Sequence, residues 1–322
     1  MFDRQHRHIH YLRLSLTSAC QMRCTYCRPT VLHKDCHTPL TAADFQQVVE
    51  RLVSVHGVRK VRLTGGDPTT RPDLISIIEH IAAIKGIDDL AMTTHGLTLA
   101  SHARAYAAAG LHRVNVSLDT LDSEQFARIT GVDAMQRVID GIDEAIDAGL
   151  TPLKINTVVL RDSNEDQLAD LVAFAASRSV GIRFIELMPM GPLADQWAKR
   201  YISADRMKSL LTENIVDTWE ALPQGSDSAQ VYQASLRDGS QEDIGFITPM
   251  SCHFCDACNR LRLTSDGAIY PCLMDQPRGS FLPALTPEFD GERFDELLEQ
   301  ALAYKAPEHP AQGVGIMTTI GG

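Results

Sequence analysis

The sequence predicts an α/β fold in which parallel strands are covered by helices. Between residues 11 and 187, six short β-rich runs alternate with segments of helical periodicity, and after Pro189 this alternation stops. Strands that alternate with helices form parallel sheets, because each helix crosses back over the sheet. A complete barrel needs eight such units, so six indicate a partial (βα)6, TIM-like barrel or a doubly wound sheet. In either fold, ligands are expected at the carboxyl ends of the strands.

The predicted strands are rich in aliphatic and β-branched residues. They cover residues 11–16, 58–63, 88–93, 113–118, 153–160 and 181–187. Among the helical segments, Thr41 and Asp44 form a capping pair, and Pro72 lies where the second helix is expected to begin. Gly110 and Gly149 are expected to end two later helices.

The remainder of the chain has a different pattern. Residues 203–212 predict one more helix, and the polar stretch 224–228 is typical of a linker. Short strand-like runs, a cysteine cluster and an amphipathic segment at 294–302 follow. We therefore predict two domains, residues 1–228 and 229–322, of which the second is an α+β region.

Composition narrows the functional class. Of 322 residues, 44% are hydrophobic and 22% are charged, which excludes a disordered, collagen-like or coiled-coil chain. The net charge of −11 argues against a nucleic-acid partner. No apolar run approaches the roughly 18 residues of a membrane span, and the amino terminus does not resemble a signal peptide. We expect a cytoplasmic protein without a membrane partner, in which cysteine clusters bind metal more often than they form disulfides.

The first cysteine cluster, C-x3-C-x2-C, directly follows the first predicted strand. It contains Cys20, Cys24 and Cys27. Three thiolates on a four-iron cube leave one iron open, whereas zinc requires a fourth ligand, which Cys36 or a histidine would supply. The spacing favours iron–sulfur.

The second cluster contains Cys252, Cys255 and Cys258, with Cys272 farther along the chain. Four thiolates would form a closed zinc or iron–sulfur site, whereas three would leave one iron open. Spacing alone leaves both arrangements open.

The first motif, with Tyr26 before its last cysteine on a six-unit βα chain, resembles the radical S-adenosylmethionine (SAM) superfamily. This resemblance implies that the open iron chelates SAM, and that an electron cleaves SAM to a 5′-deoxyadenosyl radical. Gly65-Gly66-Asp67-Pro68 ends the second predicted strand, where glycines would let the backbone approach the cosubstrate.

The second motif, Cys255-x2-Cys258-Asn-Arg-Leu-Arg-Leu followed by Cys272, resembles the GTP 3′,8-cyclases, the molybdenum cofactor biosynthesis protein A family. The terminal Ile-Gly-Gly and segments along nearly the whole chain support the resemblance. It implies a lyase-class enzyme that converts GTP to 3′,8-cyclo-7,8-dihydro-GTP in the first step of molybdopterin synthesis. It also implies two 4Fe–4S clusters, the first held by Cys20, Cys24 and Cys27 and the second by Cys255, Cys258 and Cys272. Cys36 and Cys252 then remain outside the ligand sets.

Strand-borne cations fit a polyanionic substrate, because a basic side chain inside a barrel is costly without an anion. The candidates are Arg13, Lys60, Arg62, Lys154, Arg183, Arg260 and Arg262. By resemblance, the GTP contacts are Arg13, Arg62, Thr93, Lys154, Arg260 and Arg262, and the SAM contacts are Tyr26, Gly66, Ser117 and Met188. The terminal Gly321 and Gly322 would reach the active site. No acid–base residue is assigned beyond the cluster and cofactor ligands, because radical hydrogen abstraction needs none.

The resemblance further implies a reductant such as flavodoxin or ferredoxin and a downstream cyclic pyranopterin monophosphate synthase, and it leaves a homodimer open. Several positions depart from the family pattern: Ser18, Ala19, Gln21, Asp67 and His95. They indicate a divergent cyclase or a paralogue with altered activity. Two alternatives follow, namely a radical SAM enzyme with an auxiliary cluster that acts on a peptide or other substrate, and a non-catalytic metal-binding protein.

Overall fold

The structure is a computed structural model that describes residues 1–27, 39–225, 227–314 and 317–321. Cys36, Ser226 of the predicted linker and the terminal Gly322 lie outside the described residues.

The described strands form one mixed sheet. They are β1 (Tyr11–Ser15), β2 (Lys60–Thr64), β3 (Asp89–Thr94), β4 (Arg113–Ser117), β5 (Lys154–Val159), β6 (Gly181–Glu186), β7 (Val216–Ala221), β8 (Ala229–Leu236), β9 (Gln241–Ile247), β10 (Arg260–Leu263) and β11 (Ile269–Tyr270). Their order across the sheet is β11-β10-β1-β2-β3-β4-β5-β6-β9-β8-β7. The six predicted strands are β1 to β6, all parallel and in chain order, which confirms the predicted fold class.

Helices cover the sheet. They are α1 (Ala42–Ser54), α2 (Leu74–Ala82), α3 (Leu99–Ala108), α4 (Ser123–Thr130), α5 (Met135–Asp147), α6 (Leu168–Ala176), α7 (Trp197–Arg200), α8 (Ala204–Asn214), α9 (Leu282–Leu285), α10 (Gly291–Ala303) and α11 (Met317–Ile320). Two 3₁₀ turns lie at Pro68–Thr70 and Gly191–Gln196. Among the described residues, no helix has the length and apolar character needed to cross a membrane.

Local capping explains several helix ends. The Thr41 side chain accepts from the Asp44 backbone N–H at 3.2 Å, and the Asp44 carboxylate accepts from the Thr41 N–H at 2.8 Å, so the predicted capping box is confirmed. α2 begins at Leu74, after Pro72, with Asp73 at its N-cap. α4 escaped prediction, although the Asp122 side chain caps its first turn in the manner typical of helix starts.

Strands of the C-terminal region extend both sides of the predicted six-stranded sheet. β10 lies beside β1 and β9 lies beside β6, both in parallel. β7 precedes residue 228 and pairs with β8, which follows it, so the sheet runs across the predicted boundary. The division into two domains at this residue stays a prediction.

The register of β1 and β10 places the two cysteine clusters. Tyr11 on β1 lies opposite Arg260 on β10, and β11 runs antiparallel to β10. Cys255 and Cys258 precede β10 and Cys272 follows β11, so these three lie toward the amino end of β1. The first cluster follows the carboxyl end of β1, where ligands were expected. The first cysteine cluster therefore lies at the strand end where ligands were expected, whereas the second cysteine cluster lies at the opposite end of β1.

Candidate active site

One cavity of about 310 Å³ connects the two cysteine clusters along the inner face of the sheet. Its lining includes both predicted cysteine triads, Cys20, Cys24, Cys27, Cys255, Cys258 and Cys272. Cys252 is exposed and is not part of that lining. The two triads are far apart in the sequence, and the fold places their six thiols around a shared space.

The first triad is a set of partly buried thiols, and its neighbours oppose the ionisation of Cys24. Burial raises the pKa of the Cys24 thiol well above its ordinary value, and the neighbouring Asp119, Cys27 and Cys20 raise it further. A bound cation or iron–sulfur cluster would reverse this penalty, because metal ligation favours the thiolate. The donor set therefore fits a 4Fe–4S cluster. No three His, Cys, Asp or Glu side chains within the described ranges converge on a single ion, but each cysteine of a cube binds a separate iron.

Tyr26, within the first cluster loop, is held by a buried carboxylate. Its hydroxyl donates to Asp119 Oδ2 at 2.7 Å, and the Val158 N–H donates to Oδ1 at 2.9 Å. Burial raises the pKa of Asp119 to about 6, against the lowering effect of these two hydrogen bonds. The carboxylate is thus already occupied by protein donors.

The glycines after β2 let two chain segments approach. The Gly66 N–H donates to the Thr17 carbonyl at 2.6 Å, and a Cβ atom at Gly66 would lie 2.2 Å from the Ala19 carbonyl oxygen. A side chain at this position would displace the cluster loop. These glycines therefore serve the packing of residues 17–19, and Gly65 and Gly66 also line the cavity.

Asp67, His95 and Gln21, three positions expected from the sequence to depart from the family pattern, contact one another. Asp67 Oδ2 accepts from the His95 backbone N–H at 2.7 Å and from Thr94 Oγ1 at 2.8 Å. His95 Nε2 lies 2.6 Å from Oε1 of Gln21, which follows Cys20 in the chain, and His95 Nδ1 accepts from the Leu97 N–H at 3.2 Å. The imidazole is therefore neutral with its proton on Nε2, in line with the burial that lowers the pKa of His95. This bridge ties the cluster loop to the loop after β3, and the hydrogen bond from the His95 N–H to Asp67 ties that loop in turn to the loop after β2.

At the second triad, the thiols differ in their surroundings. Burial acts to raise the pKa of Cys258, but the charges of Lys305 and Arg260 outweigh it and lower this pKa below its ordinary value. Burial raises the pKa of Cys255, and the nearby Cys272 and Cys258 add to the increase. A site of three thiols with cationic neighbours fits a cluster of net negative charge.

The predicted SAM contacts Tyr26, Gly66, Ser117 and Met188 all line the same cavity. So do four of the six predicted GTP contacts, Arg13, Thr93, Arg260 and Arg262. Arg62 is not in the lining, because it is buried behind Thr93 and donates to Thr93 Oγ1 at 3.3 Å and to the Tyr11 hydroxyl. Lys154 lines a separate cavity of about 580 Å³, together with Arg183.

The strand-borne cations lower one another's pKa values. Burial lowers the pKa of Arg13 to about 10 and that of Lys154 to about 8, and neighbouring arginines contribute to both shifts. Burial and the adjacent Arg13 and Arg260 lower the pKa of Arg262 well below its ordinary value. Within the described ranges, Arg62, Arg260 and Arg262 form no ion pair with Asp or Glu. A bound anion would relieve this repulsion.

The carboxyl-terminal tail enters the same region. The Gly321 carbonyl accepts from Arg262 Nη1 and from Arg13 Nη2, the latter at 3.4 Å, and the Thr319 carbonyl accepts from Ser15 Oγ at 2.6 Å. Gly321 has a φ of 75°, and a Cβ atom there would lie 2.0 Å from Thr64 Oγ1. Only glycine fits this position. Gly321 thus contacts two arginines of the cavity wall, and the expectation that the tail reaches the active site stays a prediction.

Glu186, at the carboxyl end of β6, is a structural residue that sequence reasoning left without a role. Its Oε1 accepts from the Ala204 N–H at 2.9 Å, the Tyr201 hydroxyl at 3.1 Å and the Ser251 hydroxyl. Its Oε2 accepts from the Met250 and Ser251 N–H groups, each at 3.0 Å. This carboxylate is 1% exposed and joins β6, the start of α8 and the segment before the second triad. A terminal strand glutamate carries no sequence signal for such a role.

Comparison with known proteins identifies two matching regions. Residues 14–175 match the Radical SAM superfamily, and residues 180–311 match Molybdenum Cofactor Synthesis C. The two matches cover the first and second cysteine triads respectively.

Similar solved structures support the fold. SuiB from Streptococcus suis bound to S-adenosylmethionine has a TM-score of 0.60 at 17% identity, covering 91% of this chain and 66% of that chain. Native anSMEcpe with bound AdoMet has a TM-score of 0.58 at 16% identity, covering 92% of this chain and 82% of that chain. At these identities the likeness shows the fold alone.

Curated relatives are much closer in sequence. The GTP 3′,8-cyclase of Pelotomaculum thermopropionicum is 40% identical over 96% of this chain and 95% of its own length. That of Rhodopirellula baltica is 38% identical over 98% of this chain and 87% of its own. That of Listeria monocytogenes is 36% identical over 93% of this chain and 89% of its own. With both triads around one cavity, the chain belongs to the GTP 3′,8-cyclase family of the radical SAM superfamily.

Proposed function

We propose that this chain is a radical SAM GTP 3′,8-cyclase that catalyses the first step of molybdenum cofactor biosynthesis. Its substrate is GTP, its product is 3′,8-cyclo-7,8-dihydro-GTP, and its cofactors are SAM and two 4Fe–4S clusters. The observation that carries the proposal is the shared cavity, whose lining includes both three-thiol sites and three arginines, Arg13, Arg260 and Arg262. This arrangement suits a reaction in which a radical source and a nucleotide must lie side by side.

At the carboxyl end of β1, Cys20, Cys24 and Cys27 would hold the first cluster, with one iron left for SAM. The cluster and SAM, when bound there, would supply the radical chemistry for abstraction of the 3′ hydrogen of the ribose. Tyr26, Gly66, Ser117 and Met188 line this cavity and, as the family resemblance implies, would position SAM. The protein orients SAM and keeps water from the radical.

Toward the amino end of β1, the cations would bind the nucleotide. Arg13, Arg260 and Arg262 lie in the cavity wall, and Arg62 would act with Thr93, whose hydroxyl it already contacts. A triphosphate would compensate their mutual repulsion, and arginine suits it because its planar guanidinium donates two parallel hydrogen bonds. Lys154 lies beyond this wall, next to Arg183, and would contact the nucleotide only from that side. Cys255, Cys258 and Cys272 would hold the second cluster beside the guanine.

No side chain of the site is assigned as a general acid or base. Asp119 is a buried carboxylate that acts on the Cys24 thiol, and its two oxygens accept from Tyr26 and Val158. Glu186 is likewise occupied by five protein donors. Both carboxylates therefore hold neighbouring segments of the protein together. A site with no assigned general acid or base fits a reaction that begins with hydrogen-atom abstraction.

The proposal includes partners. Reduction of the first cluster requires a low-potential donor such as flavodoxin or ferredoxin, and the cyclised nucleotide requires a cyclic pyranopterin monophosphate synthase to consume it. A homodimer and a cytoplasmic location belong to the same proposal.

Anaerobic incubation of the reconstituted, reduced protein with SAM and GTP tests the function. We expect 5′-deoxyadenosine and the cyclised nucleotide in equal amounts. SAM cleavage without a cyclised nucleotide would reject the cyclase assignment and favour another substrate. Tightly bound zinc in place of about eight irons per chain would reject both.

A further inference from the structure

Lys305 is a buried lysine directly beyond α10, and it is only 3% exposed. Its ammonium donates to Cys258 Sγ at 3.4 Å, to the Arg260 carbonyl at 3.0 Å and to the Pro271 carbonyl. An ammonium has three hydrogens, so each of them has an acceptor. The acceptors lie on two chain segments, one that bears Cys255 and Cys258 and one that leads into Cys272. One side chain thus joins both parts of the second triad.

The charge of Lys305 lacks a carboxylate partner. Within the ranges that the structure describes, its ammonium forms no ion pair with Asp or Glu. A buried ammonium is costly unless an opposite charge compensates it. Among its three acceptors only the sulfur of Cys258 is able to carry a negative charge. The ammonium is therefore placed to compensate a thiolate and whatever anionic group that thiolate binds.

Arg7 gives the contrasting case at the same site. Its guanidinium donates to the Cys255 carbonyl at 2.9 Å and to the Ala306 carbonyl at 2.8 Å, so it fastens the cluster loop to the segment around Lys305. Its own charge is compensated by Asp3, 2.6 Å away. Arg7 therefore binds backbone carbonyls of this site, whereas the Lys305 ammonium contacts a cysteine sulfur.

We propose that Lys305 is a positioning residue of the second cluster, and that its charge raises the reduction potential of the cluster that Cys255, Cys258 and Cys272 bind. The inference rests on the proposed function for this ligand set. Reduction adds one negative charge to a cluster, so a cation in contact with a ligand sulfur stabilises the reduced state. Hydrogen bonds to ligand sulfurs act in the same direction.

The test is a redox titration monitored by electron paramagnetic resonance on the full, anaerobically reconstituted chain. A Cys24→Ala background removes the first cluster, so the remaining signal belongs to the second. Lys305→Met removes the charge and the donors, Lys305→Gln keeps a donor without charge, and Lys305→Arg keeps the charge. Lys208→Met is the matched control, because Lys208 is also partly buried but lies against Trp219 and Tyr232.

We expect the Met and Gln variants to disfavour reduction at least tenfold, a downward shift of about 59 mV or more for a one-electron couple. The Arg variant should stay near the parent, and Lys208→Met should not shift. If Lys305→Met fails to retain the second cluster, the potential of Lys305→Gln decides. If both Lys305→Met and Lys305→Gln lose the cluster while Lys305→Arg retains it, this result also supports a role for the charge. A parent-like potential in Gln or Met overturns the proposal, as does loss of the cluster in all three Lys305 variants.

These outcomes are separable from a failure of the proposed function. The titration uses neither SAM nor GTP, so the order of potentials holds or fails regardless of whether nucleotide is cyclised. If Cys272→Ala in the same background kept a full second cluster, the ligand set itself would be wrong, and the Lys305 proposal would fall with it.

Discussion

Replacing Glu186 with glutamine should loosen the second cluster site without disturbing the first. The substitution keeps the shape of the side chain but removes its charge and turns one acceptor into an amide donor. In one amide orientation the NH₂ group faces the Met250 and Ser251 N–H groups, and in the other it faces the Ala204 N–H. At least one buried backbone donor therefore loses its acceptor in either orientation.

The magnitude follows from these contacts. An unpaired buried donor costs about 1–3 kcal/mol, and the remaining bonds weaken because charge-assisted bonds are roughly twice as strong as neutral ones. We expect a loss of about 2–4 kcal/mol in the free energy of unfolding. At about 2.1 cal/mol/K per residue, unfolding entropy is about 0.7 kcal/mol/K for this chain, so Tm should fall by about 3–6 °C.

Thermal unfolding and iron analysis of the reconstituted protein measure the effect. Iron should be lost from the second site, because the segment held by Glu186 leads into it, whereas SAM cleavage at the first site should persist. Glu299→Gln is the control, since Glu299 is exposed on α10. An unchanged Tm with full iron in Glu186→Gln would refute the view that this carboxylate joins β6 to the second triad.

Three further predictions concern the proposed binding sites. The KM for GTP should rise with pH above about 8, by up to about tenfold per pH unit, because the pKa of Lys154 is lowered to about 8 by burial and then by Arg183, and bound triphosphate would raise it again. Lys154→Arg, assayed from pH 7 to 9.5, should flatten this profile. Cys272→Ala should halve the iron from about eight to about four per chain while leaving SAM cleavage, which Cys24→Ala should abolish; iron and 5′-deoxyadenosine assays distinguish the two. His95→Phe and Gln21→Ala should each raise the KM for SAM about 2–10-fold, and the double variant no more than His95→Phe alone, because both substitutions remove the same hydrogen bond between His95 and Gln21.

Each of these three predictions has an outcome that would contradict it. The same pH profile in the wild type and in Lys154→Arg would remove Lys154 from the nucleotide site. Loss of all iron in Cys272→Ala would contradict two separate ligand sets. Additive effects of the His95 and Gln21 substitutions would show that the two side chains act independently.

Local sequence signals predicted the strands and the capping box well. β1 to β6 differ from the predicted runs by one or two residues at their ends, because short apolar runs between turn residues define a buried parallel strand. Thr41 and Asp44 lie within one turn of each other, so their hydrogen bonds depend on nothing distant. The spacing of the cysteines within each motif was recognisable for the same reason, because it involves residues close together in the sequence.

Long-range placement was beyond the same reasoning. The second triad lies at the amino end of β1 because β10 pairs with β1 in a register that joins Tyr11 to Arg260, and no local pattern encodes that register. Lys305 follows an amphipathic helix, where a lysine ordinarily faces water. Only the folded chain brings it to Cys258.

The two triads lie at opposite ends of β1, so the length of this strand gives a scale for their separation. β1 has five residues, and at about 3.3 Å per residue it spans roughly 16 Å. Backbone pairing with β10 and β2 holds β1 on both sides, so the strand between the two triads is part of one continuous sheet. Selection by length follows: molecules bound in tandem must together match the interval, and one that falls short would touch one end only.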